Sequence, residues 1–373
     1  MTRIGIDARL VYYRRESGIG QYIVHLVHEL PRLDPAGEYT LFQSRKDTID
    51  LAGALRSGRA RRFNLWTPSH HRFEQVTLPI ELLRARLDLF HSPDFIPPLS
   101  GRFKRIITVH DLTFLRYPQF LTAESRRYYN DQIAQAVRVA DHILADSHAT
   151  KVDLVDLLGV AADKVTVVWL APDARFRLDP AVRPRLDRLG LPMQYFLFVG
   201  TFEPRKNVGG LLNAYRLLLD RDTSAPQLVI AGRRGWLFDE TLAHVERLAL
   251  RERVFFLDAP ADEDMVALYN GAVALALPSH YEGFGLPALE AMACGTPTVI
   301  SDRGSLPEIA GNAALAVNPD DADALAGALE RVWREPVLRY SLRDKGLARA
   351  AEFSWGRCAR ETLAAYRKVM GET

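Results

Sequence analysis

The stretch that decides the fold is Pro278-Ser-His-Tyr-Glu-Gly-Phe-Gly-Leu-Pro-Ala-Leu-Glu-Ala-Met-Ala-Cys-Gly295, which follows a continuous apolar run at residues 272–277. Such a run predicts a strand that is buried in a parallel sheet. Gly283 and Gly285 let the chain turn tightly beside a ligand, and Pro287 suits the start of a helix. The stretch therefore predicts a strand, a glycine loop and a helix whose first N–H groups can bind a phosphate.

Two glutamates flank this predicted anion site, Glu282 in the loop and Glu290 in the first turn of the helix. Both carboxylates can accept hydrogen bonds from hydroxyl groups while backbone N–H groups bind the phosphate. That combination suits a sugar that is linked to a nucleotide. For Glu290 a structural alternative stays open, because a glutamate near a helix N-terminus is stabilised by the helix dipole alone.

Glu282 and Glu290, separated by seven residues around Gly-Phe-Gly-Leu-Pro, resemble the Glu-x7-Glu signature of retaining glycosyltransferases of family 4. The resemblance implies an α/β protein with the GT-B fold, in which two Rossmann-like domains turn their parallel sheets toward a central cleft. Residues 1–178 would form the acceptor-binding domain and residues 192–354 the nucleotide-sugar-binding domain, with a linker between them. A C-terminal helix at 355–373 would pack back on the first domain.

A second motif, Gly200-Thr-Phe-Glu-Pro-Arg-Lys-Asn207, follows another apolar run. Arg205 and Lys206 can neutralise a diphosphate, and the arginine can bind it with two parallel hydrogen bonds. Family members usually carry an arginine directly after the glycine. Thr201 stands there in this chain, so Arg205 is expected to take over that role. The Glu-Pro-Arg-Lys-Asn sequence resembles mannosyltransferases of surface-polysaccharide assembly, which favours GDP-mannose as the donor and UDP-sugars as the next choice.

His110 and Asp111 end the apolar run at residues 105–109. Both side chains are therefore expected at the carboxyl edge of a sheet, where ligands bind in α/β proteins, with the carboxylate beside the imidazole. The family resemblance implies that the histidine contacts the donor sugar or the reaction centre. A histidine that is satisfied by local hydrogen bonds is the structural alternative.

Gly18-x-Gly20 is not a dinucleotide fingerprint, because Ile23 stands where a third glycine belongs. The resemblance implies instead a glycine loop near the donor phosphates, and Gly232-Arg-Arg-Gly-Trp236 resembles the family's turn near the nucleotide. The catalytic residues that it implies are His110, Glu282, Arg205 and Lys206. The donor-binding residues that it implies are Gly18, Gly20, Asp111, Gly200, Thr201, Arg205, Lys206, Gly232, Glu282, Gly283, Phe284, Gly285, Leu286 and Glu290.

The composition excludes several other classes of protein. The 373 residues exceed the usual size of one core, and the formal net charge of +2 gives no reason to expect a nucleic-acid partner. No apolar run is long enough to cross a bilayer, and a strand follows Met1 directly, so no signal peptide is expected. Two cysteines predict neither a disulfide framework nor a metal cluster, which favours the cytoplasm.

Acidic pairs at Asp262-Glu-Asp264 and Asp321-Ala-Asp323 resemble metal-binding motifs. Each precedes an apolar helical pattern, so helix caps and acidic first turns are expected instead. We therefore predict no metal and no cofactor besides the donor. Basic residues of the N-terminal half are candidates for peripheral contact with anionic lipid at the inner face of a membrane, although such residues are more often solvated. They are Arg59, Arg61, Arg62, Arg84, Arg86, Lys104 and Arg105.

The sequence thus predicts a retaining transferase that moves a sugar, with mannose from GDP-mannose as the first choice. The acceptor would be a hydroxyl of a sugar, an oligosaccharide or a lipid-linked glycan. The leaving diphosphate would be stabilised by Arg205, Lys206 and helix N–H groups. Two alternatives stay open. A nucleotide-sugar 2-epimerase shares the fold and needs no acceptor, and a non-catalytic nucleotide-sugar binder would more readily lack His110 or Glu282.

Overall fold

The computed structural model describes residues 2–14, 18–53, 60–120, 123–235 and 238–372. The chain divides into two compact units, Met1–Leu170 together with Ser354–Thr373, and Ala171–Phe353. The helices, in chain order, are α1 (Val11–Arg14), α2 (Gly18–Leu33), α3 (Glu74–Leu82), α4 (Thr113–Arg116), α5 (Ala123–Val139), α6 (His148–Leu158), α7 (Arg183–Arg188), α8 (Val208–Arg221), α9 (Phe238–Arg247), α10 (Asp262–Gly271), α11 (Leu286–Ala293), α12 (Leu306–Ala310), α13 (Ala322–Arg334), α14 (Pro336–Ala350) and α15 (Trp355–Met370).

The first unit is built on a seven-stranded parallel sheet. Its strands are β1 (Arg3–Asp7), β2 (Glu38–Ser44), β3 (Ala60–Leu65), β4 (Leu89–Ser92), β5 (Lys104–Val109), β6 (His142–Ala145) and β7 (Val165–Val167). They lie in the order β3-β2-β1-β4-β5-β6-β7, so the direction in which strands are added reverses between β1 and β4. Ligands of open α/β sheets bind outside the carboxyl ends of the strands at such a reversal.

Helix α15 belongs to this first unit although it ends the chain. It packs against α2, and the Trp355 indole stacks on the His25 ring with 4.4 Å between ring centroids. The Tyr366 hydroxyl also lies 2.6 Å from Nδ1 of His91, which is on β4. Buried aromatic contacts and the Tyr366–His91 hydrogen bond thus fix α15 on the first sheet.

The second unit is built on a six-stranded parallel sheet. Its strands are β8 (Tyr195–Val199), β9 (Gln227–Gly232), β10 (Val254–Asp258), β11 (Ala274–Leu277), β12 (Thr298–Ser301) and β13 (Ala314–Val317). They lie in the order β10-β9-β8-β11-β12-β13, which places the reversal between β8 and β11. The central strands are apolar and buried, as their continuous hydrophobic runs predict, and the two-sheet α/β architecture expected from the sequence is confirmed.

Two local features differ from the expectations. The stretch between the predicted domains contains α7, which packs against α10. Gly18 and Gly20 lie in the first turn of α2 and not in a loop, and Gly20 is buried. The helix extends over both glycines because its apolar face is anchored in the core by Tyr22 and Ile23, and packing outweighs the weak helix propensity of glycine.

Candidate active site

The carboxyl ends of β8 and β11 bring the two glycine motifs of the second unit together. After β8 the chain forms a 3-10 turn, Pro204–Lys206, and the loop that carries Glu282 follows β11. Lys206 Nζ lies 2.6 Å from Glu282 Oε1, and Arg205 Nη1 lies 2.9 Å from Oε2. Ser279 Oγ also donates to Oε1 at 2.7 Å, which is the third hydrogen bond that the carboxylate accepts. The structure therefore joins Arg205, Lys206 and Glu282 in one ionic cluster.

The centre of this cluster is buried. Lys206 is 7% exposed and Glu282 is 5% exposed. Burial alone would raise the pKa of Glu282, but the charges of Lys206 and Arg205 outweigh it and lower that pKa to about 2. Burial lowers the pKa of Lys206, Arg205 adds to the effect, and Glu282 opposes it. With Lys206 protonated, Lys206 and Arg205 both face Glu282, and Arg205 also pairs at 3.0 Å with Glu203, whose side chain is partly exposed. Two adjacent cations of this kind can bind an anionic ligand.

Contacts from a neighbouring loop hold the Glu282 loop in shape. Ser305 Oγ donates to the backbone oxygen of Glu282 at 2.9 Å and to that of Phe284 at 2.8 Å. Gly285, the residue before α11, has a φ of 96°, and a Cβ there would lie 2.5 Å from Leu306 Cδ2. Both the left-handed backbone and the close packing require glycine. The first N–H groups of α11 therefore begin directly after a rigid loop.

Glu290 lies in the second turn of α11, because the helix begins at Leu286; the expected place in the first turn is wrong. The helix dipole alone therefore does not explain Glu290, since its stabilising effect on a carboxylate falls off within the first turn. The Tyr269 hydroxyl donates to Glu290 Oε2 at 2.7 Å. Burial raises the pKa of Glu290 to about 7, and the Tyr269 hydrogen bond only partly opposes it. The carboxylate thus changes its charge near neutral pH.

Gly200 and Gly232 lie side by side where β8 and β9 end. The Gly200 N–H donates to the Ala231 oxygen at 3.0 Å, and a Cβ on Gly232 would lie 2.0 Å from the Gly200 oxygen. Gly232 is therefore required by the approach of two backbones. Thr201 follows this contact and is half-buried. Trp236, which was expected near the nucleotide, lies outside the described residues.

His110 follows β5, and its partners come from the ends of the two neighbouring strands. Nδ1 lies 2.7 Å from Asp146 Oδ2, after β6, and Nε2 lies 2.9 Å from the Pro93 backbone oxygen, after β4. Both partners are acceptors, so both nitrogens donate and the ring is a cation. Burial would lower the pKa of His110, but the charge and hydrogen bond of Asp146 outweigh it and raise the pKa to about 9.

The carboxylate paired with His110 was expected to be its neighbour Asp111, which is wrong. Asp111 Oδ1 accepts a hydrogen bond from the Thr113 N–H at 2.9 Å, at the start of α4. Asp146 was not predicted from the sequence. Its place directly after β6 is the signal that points to it, because the carboxyl ends of adjacent parallel strands share one edge of the sheet.

Replacing Asp146 by asparagine should lower the pKa of His110 from about 9 toward its ordinary value of about 6.5. The reason is that burial would then be opposed mainly by the Asp94 charge and the Pro93 oxygen. NMR titration of the assigned His110 ring measures the change. Asp111→Asn is the matched control and should move this pKa little. A pKa that stays near 9 in Asp146→Asn would contradict the pairing.

A second buried ionic network, at the carboxyl end of β1, was not predicted either. Arg9 is 1% exposed and pairs with both Asp7 and Glu74 at 2.5 Å. Asp94, after β4, pairs with His70 Nε2 at 2.8 Å. Because β1 and β4 flank the reversal of the first sheet, these pairs fix the loops that a ligand of this unit would meet.

The basic residues that were expected to form one face serve different purposes. Arg62 donates to the Asp47 backbone oxygen at 2.6 Å, and Arg105 donates to that of Pro98 at 2.8 Å. Lys104 pairs with Asp141 at 3.0 Å. Arg61 donates to the Thr40 hydroxyl. Arg59 lies outside the described residues. Arg84 and Arg86 are exposed, and within the described ranges neither forms an ion pair.

The acidic pairs were expected to start helices. Asp321 Oδ1 accepts from the Ala324 N–H at 2.9 Å and caps α13, as predicted. Asp262 lies in the acidic first turn of α10 but does not cap it, because Ala261 holds that position and Asp262 pairs with Arg175. Within the described residues, no group of three His, Cys, Asp or Glu side chains is arranged to hold a metal ion. None of the helices in those ranges is long and apolar enough to span a bilayer.

Comparison with known proteins places this geometry in a family. The model for Glycosyltransferase Family 4 matches residues 17–174, and the model for Glycosyl transferases group 1 matches residues 190–349. O-antigen chain mannosyltransferase B of Escherichia coli is 35% identical over 367 residues, which cover 94% of this chain and 96% of that protein. The serotype-specific mannosyltransferase WbdA of Escherichia coli is 30% identical over 299 residues. The match covers 75% of this chain but only 36% of that longer protein.

Among solved structures, sucrose-phosphate synthase from Thermosynechococcus elongatus matches with a TM-score of 0.80, covers 100% of both chains and is 22% identical. At that identity the likeness shows the fold alone. The relative that matches almost end to end, together with the two family models, confirms the resemblance carried by Glu282 and Glu290. The chain therefore belongs to the glycosyltransferases of family 4, and it is a glycosyltransferase with the GT-B fold.

Proposed function

We propose that this glycosyltransferase moves mannose from GDP-mannose to an acceptor hydroxyl with retention at the anomeric carbon. One observation carries the proposal: the buried cation Lys206 and the partly buried cation Arg205 lie beside Glu282 at the reversal point of the second sheet. The Glu-Pro-Arg-Lys-Asn motif and relatives that are described as mannosyltransferases support the choice of sugar.

Arg205 and Lys206 would bind the diphosphate of the donor. The bond between the anomeric carbon and the phosphate oxygen breaks during transfer, and the leaving diphosphate gains negative charge. The two cations and the N-terminal N–H groups of α11 would stabilise that charge. Because the diphosphate gains charge only as the bond breaks, the two cations stabilise the leaving group more strongly than the intact donor.

Glu282 would orient the donor sugar. A carboxylate offers about four lone-pair positions, and the side chains of Lys206, Arg205 and Ser279 occupy three of them in the structure. The fourth position can accept a hydrogen bond from a sugar hydroxyl. No carboxylate is assigned as a covalent nucleophile. The acceptor hydroxyl would attack on the face from which the diphosphate leaves, and its proton would pass to a phosphate oxygen.

His110 would act as a fixed cation and not as a general base. Its two nitrogens already donate to Asp146 and Pro93, and a raised pKa keeps the ring protonated at neutral pH. Such a ring can stabilise developing negative charge or anchor the loops after β4 and β5, but it cannot accept the acceptor's proton.

Glu290 would bind the ribose hydroxyls of the donor in its ionised form. Donor affinity should therefore fall as the pH drops from about 8 to 6, through the pKa of about 7. Glu290→Gln should bind the donor several-fold more weakly at the higher pH and show little of this pH dependence. Calorimetric titration with GDP-mannose measures the effect, because that donor lacks the terminal phosphate monoester that titrates near pH 6.

Glu352→Gln, at an exposed carboxylate of the same unit, is the control and should bind the donor as the wild type does. If Glu290→Gln and the wild type show the same donor affinity at each pH, Glu290 does not belong to the donor site.

The acceptor is proposed to be a sugar, oligosaccharide or lipid-linked glycan, and the reaction is proposed to need no metal or further cofactor. We also propose that the chain works in the cytoplasm, in peripheral contact with the membrane through its first unit. The two cysteines, Cys294 and Cys358, are both free and buried, which agrees with a reducing compartment.

A thermal-shift panel tests the donor assignment. GDP, UDP, ADP and dTDP, each with its sugar conjugates, are added without metal, and a ligand that binds only the native state raises Tm by mass action. The largest shift is expected with GDP-mannose. A larger shift with a UDP-sugar would replace the donor while keeping the reaction class. No shift with any nucleotide, with or without metal, would overturn the donor site. Recovery of the donor sugar with an inverted carbon in the absence of acceptor would instead indicate an epimerase.

A further inference from the structure

Helix α3 of the first unit exposes an apolar stripe. Val76 and Ile80 lie on the helix, and Phe73 and Leu83 flank its two ends. The four residues follow each other at intervals of three and four, which places them on one side. In chain order, they are 52%, 64%, 61% and 75% exposed. Helices at the surface of a globular unit normally direct polar residues to water, so four neighbouring apolar side chains here mark a contact surface.

The packing of α3 confirms that this stripe is its outer face. Leu78 and Leu82 on the opposite side are buried, and Glu74 pairs there with Arg9. Glu81 is held at the flank, where its oxygens accept the backbone N–H groups of Trp66 and Thr67 at 2.8 and 3.0 Å. Rotation of the helix would break these contacts. The stripe therefore stays outside in the folded protein, and no described residue of this unit covers it.

Trp66 and several arginines extend the stripe. The Trp66 side chain is 69% exposed, and the Arg45 guanidinium lies 3.5 Å from its ring centroid. Arg72, Arg84 and Arg86 are exposed around the ends of α3. Both acidic residues of the helix are already engaged, Glu74 with Arg9 and Glu81 with backbone N–H groups. The rim of the stripe is consequently basic.

We propose that the outer face of α3, with Trp66, docks on an anionic lipid bilayer. Apolar side chains at the centre, an exposed tryptophan and a basic rim together match an interfacial helix that lies in the plane of a membrane. The arginines complement anionic headgroups, and their long side chains reach those headgroups while the apolar stripe enters the acyl boundary. This surface specifies the membrane contact proposed above, and it does not depend on the identity of the sugar donor.

Vesicle binding by the full chain tests the docking surface. Wild-type protein should co-float with vesicles that contain roughly a third phosphatidylglycerol in phosphatidylcholine, and should bind pure phosphatidylcholine far less. Ile80→Ser combined with Leu83→Ser should weaken binding to the mixed vesicles at least about tenfold, because two apolar side chains no longer enter the lipid. Val337→Ser is the matched control, since Val337 is 84% exposed on α14 of the other unit, and it should bind like the wild type.

Charge reversal and fluorescence examine the same surface independently. Arg84→Glu with Arg86→Glu should reduce binding to the anionic vesicles and make the remaining binding less sensitive to salt, because less electrostatic attraction is left to be screened. Addition of anionic vesicles should shift the tryptophan fluorescence emission of the wild type to shorter wavelength, and this shift should vanish in Trp66→Phe. The docking proposal is overturned if the wild type binds neither vesicle, or if the Ile80/Leu83 variant binds as tightly as the wild type. It is also overturned if that variant loses self-association while keeping vesicle binding, which would make a second copy the occupant.

The nucleotide thermal shift separates this proposal from the proposed function. The Ile80/Leu83 variant should keep the Tm increase produced by the donor, because α3 and the Arg205–Lys206–Glu282 cluster belong to different units. Loss of vesicle binding with an intact donor shift supports the docking surface. If the protein binds vesicles but no nucleotide raises its Tm, the proposed donor site is overturned and the proposed docking surface is not affected.

Discussion

Replacing Lys206 by alanine is expected to lower kcat/KM for sugar transfer by about 10²- to 10³-fold, the usual cost of one preorganised charge-stabilising donor. Lys206 Nζ is buried against Glu282 Oε1 at 2.6 Å, so its position is fixed before the donor arrives. The loss should appear mainly in kcat, because the diphosphate gains its charge as the glycosidic bond breaks. Steady-state release of the nucleoside diphosphate in the presence of acceptor measures both parameters.

Lys345→Ala provides the control for this prediction, since Lys345 is exposed on α14 of the same unit. It should leave kcat/KM unchanged. Lys206→Arg should restore part of the rate, because it returns the charge with a different geometry. Circular dichroism establishes that each variant is folded. A folded Lys206→Ala enzyme whose kcat/KM stays within about threefold of the wild type would remove Lys206 from the catalytic residues.

Glu282→Gln is expected to lower the free energy of unfolding of the second unit by about 3–5 kcal/mol, because it leaves the buried Lys206 cation without its charge partner. The Glu282 carboxylate is 5% exposed and bonded to both Lys206 and Arg205. Added diphosphate should raise the Tm of this variant more than that of the wild type, since the anion replaces the lost negative charge. Thermal unfolding with and without pyrophosphate measures both effects.

The difference in unfolding free energy between Glu282→Gln and the wild type should depend on pH with a defined sign. The pKa of Glu282 in the folded protein, about 2, lies below the ordinary value of about 4.5. Its contribution to stability is therefore complete above about pH 4.5 and is lost as the pH falls through 2. The gap between Glu282→Gln and the wild type should be constant near neutrality and should close in acid.

Glu203→Gln is the matched control for Glu282→Gln, because Glu203 also pairs with Arg205, at 3.0 Å, but its side chain is 36% exposed. A partly exposed pair contributes about 1 kcal/mol or less, so this variant should unfold close to the wild type. Equal destabilisation by the two substitutions, or a Glu282→Gln variant that is as stable as the wild type, would show that burial does not decide the role of the cluster.

The sequence pattern alone predicted those features that depend on residues close together in the chain. The apolar run before Pro278, the glycines at 283 and 285 and the helix that follows are local features, and all appear in the structure. The same holds for β8 with its 3-10 turn at Arg205 and Lys206. Because each glycine motif is a strand–turn–helix unit, short-range sequence patterns specify it, and the family signature could be read from it.

The tertiary structure decided which of these groups meet. Lys206 and Glu282 are 76 residues apart, and they pair because β8 lies next to β11 in the sheet. His110 pairs with Asp146 and not with the adjacent Asp111, because β5 and β6 are neighbours whose carboxyl ends share one edge. Likewise, the helical period of α3 separates two faces, but the packing of Leu78 and the pairing of Glu74 with Arg9 determine which one is buried. Strand order and side-chain burial depend on contacts between distant parts of the chain, which local sequence patterns do not encode.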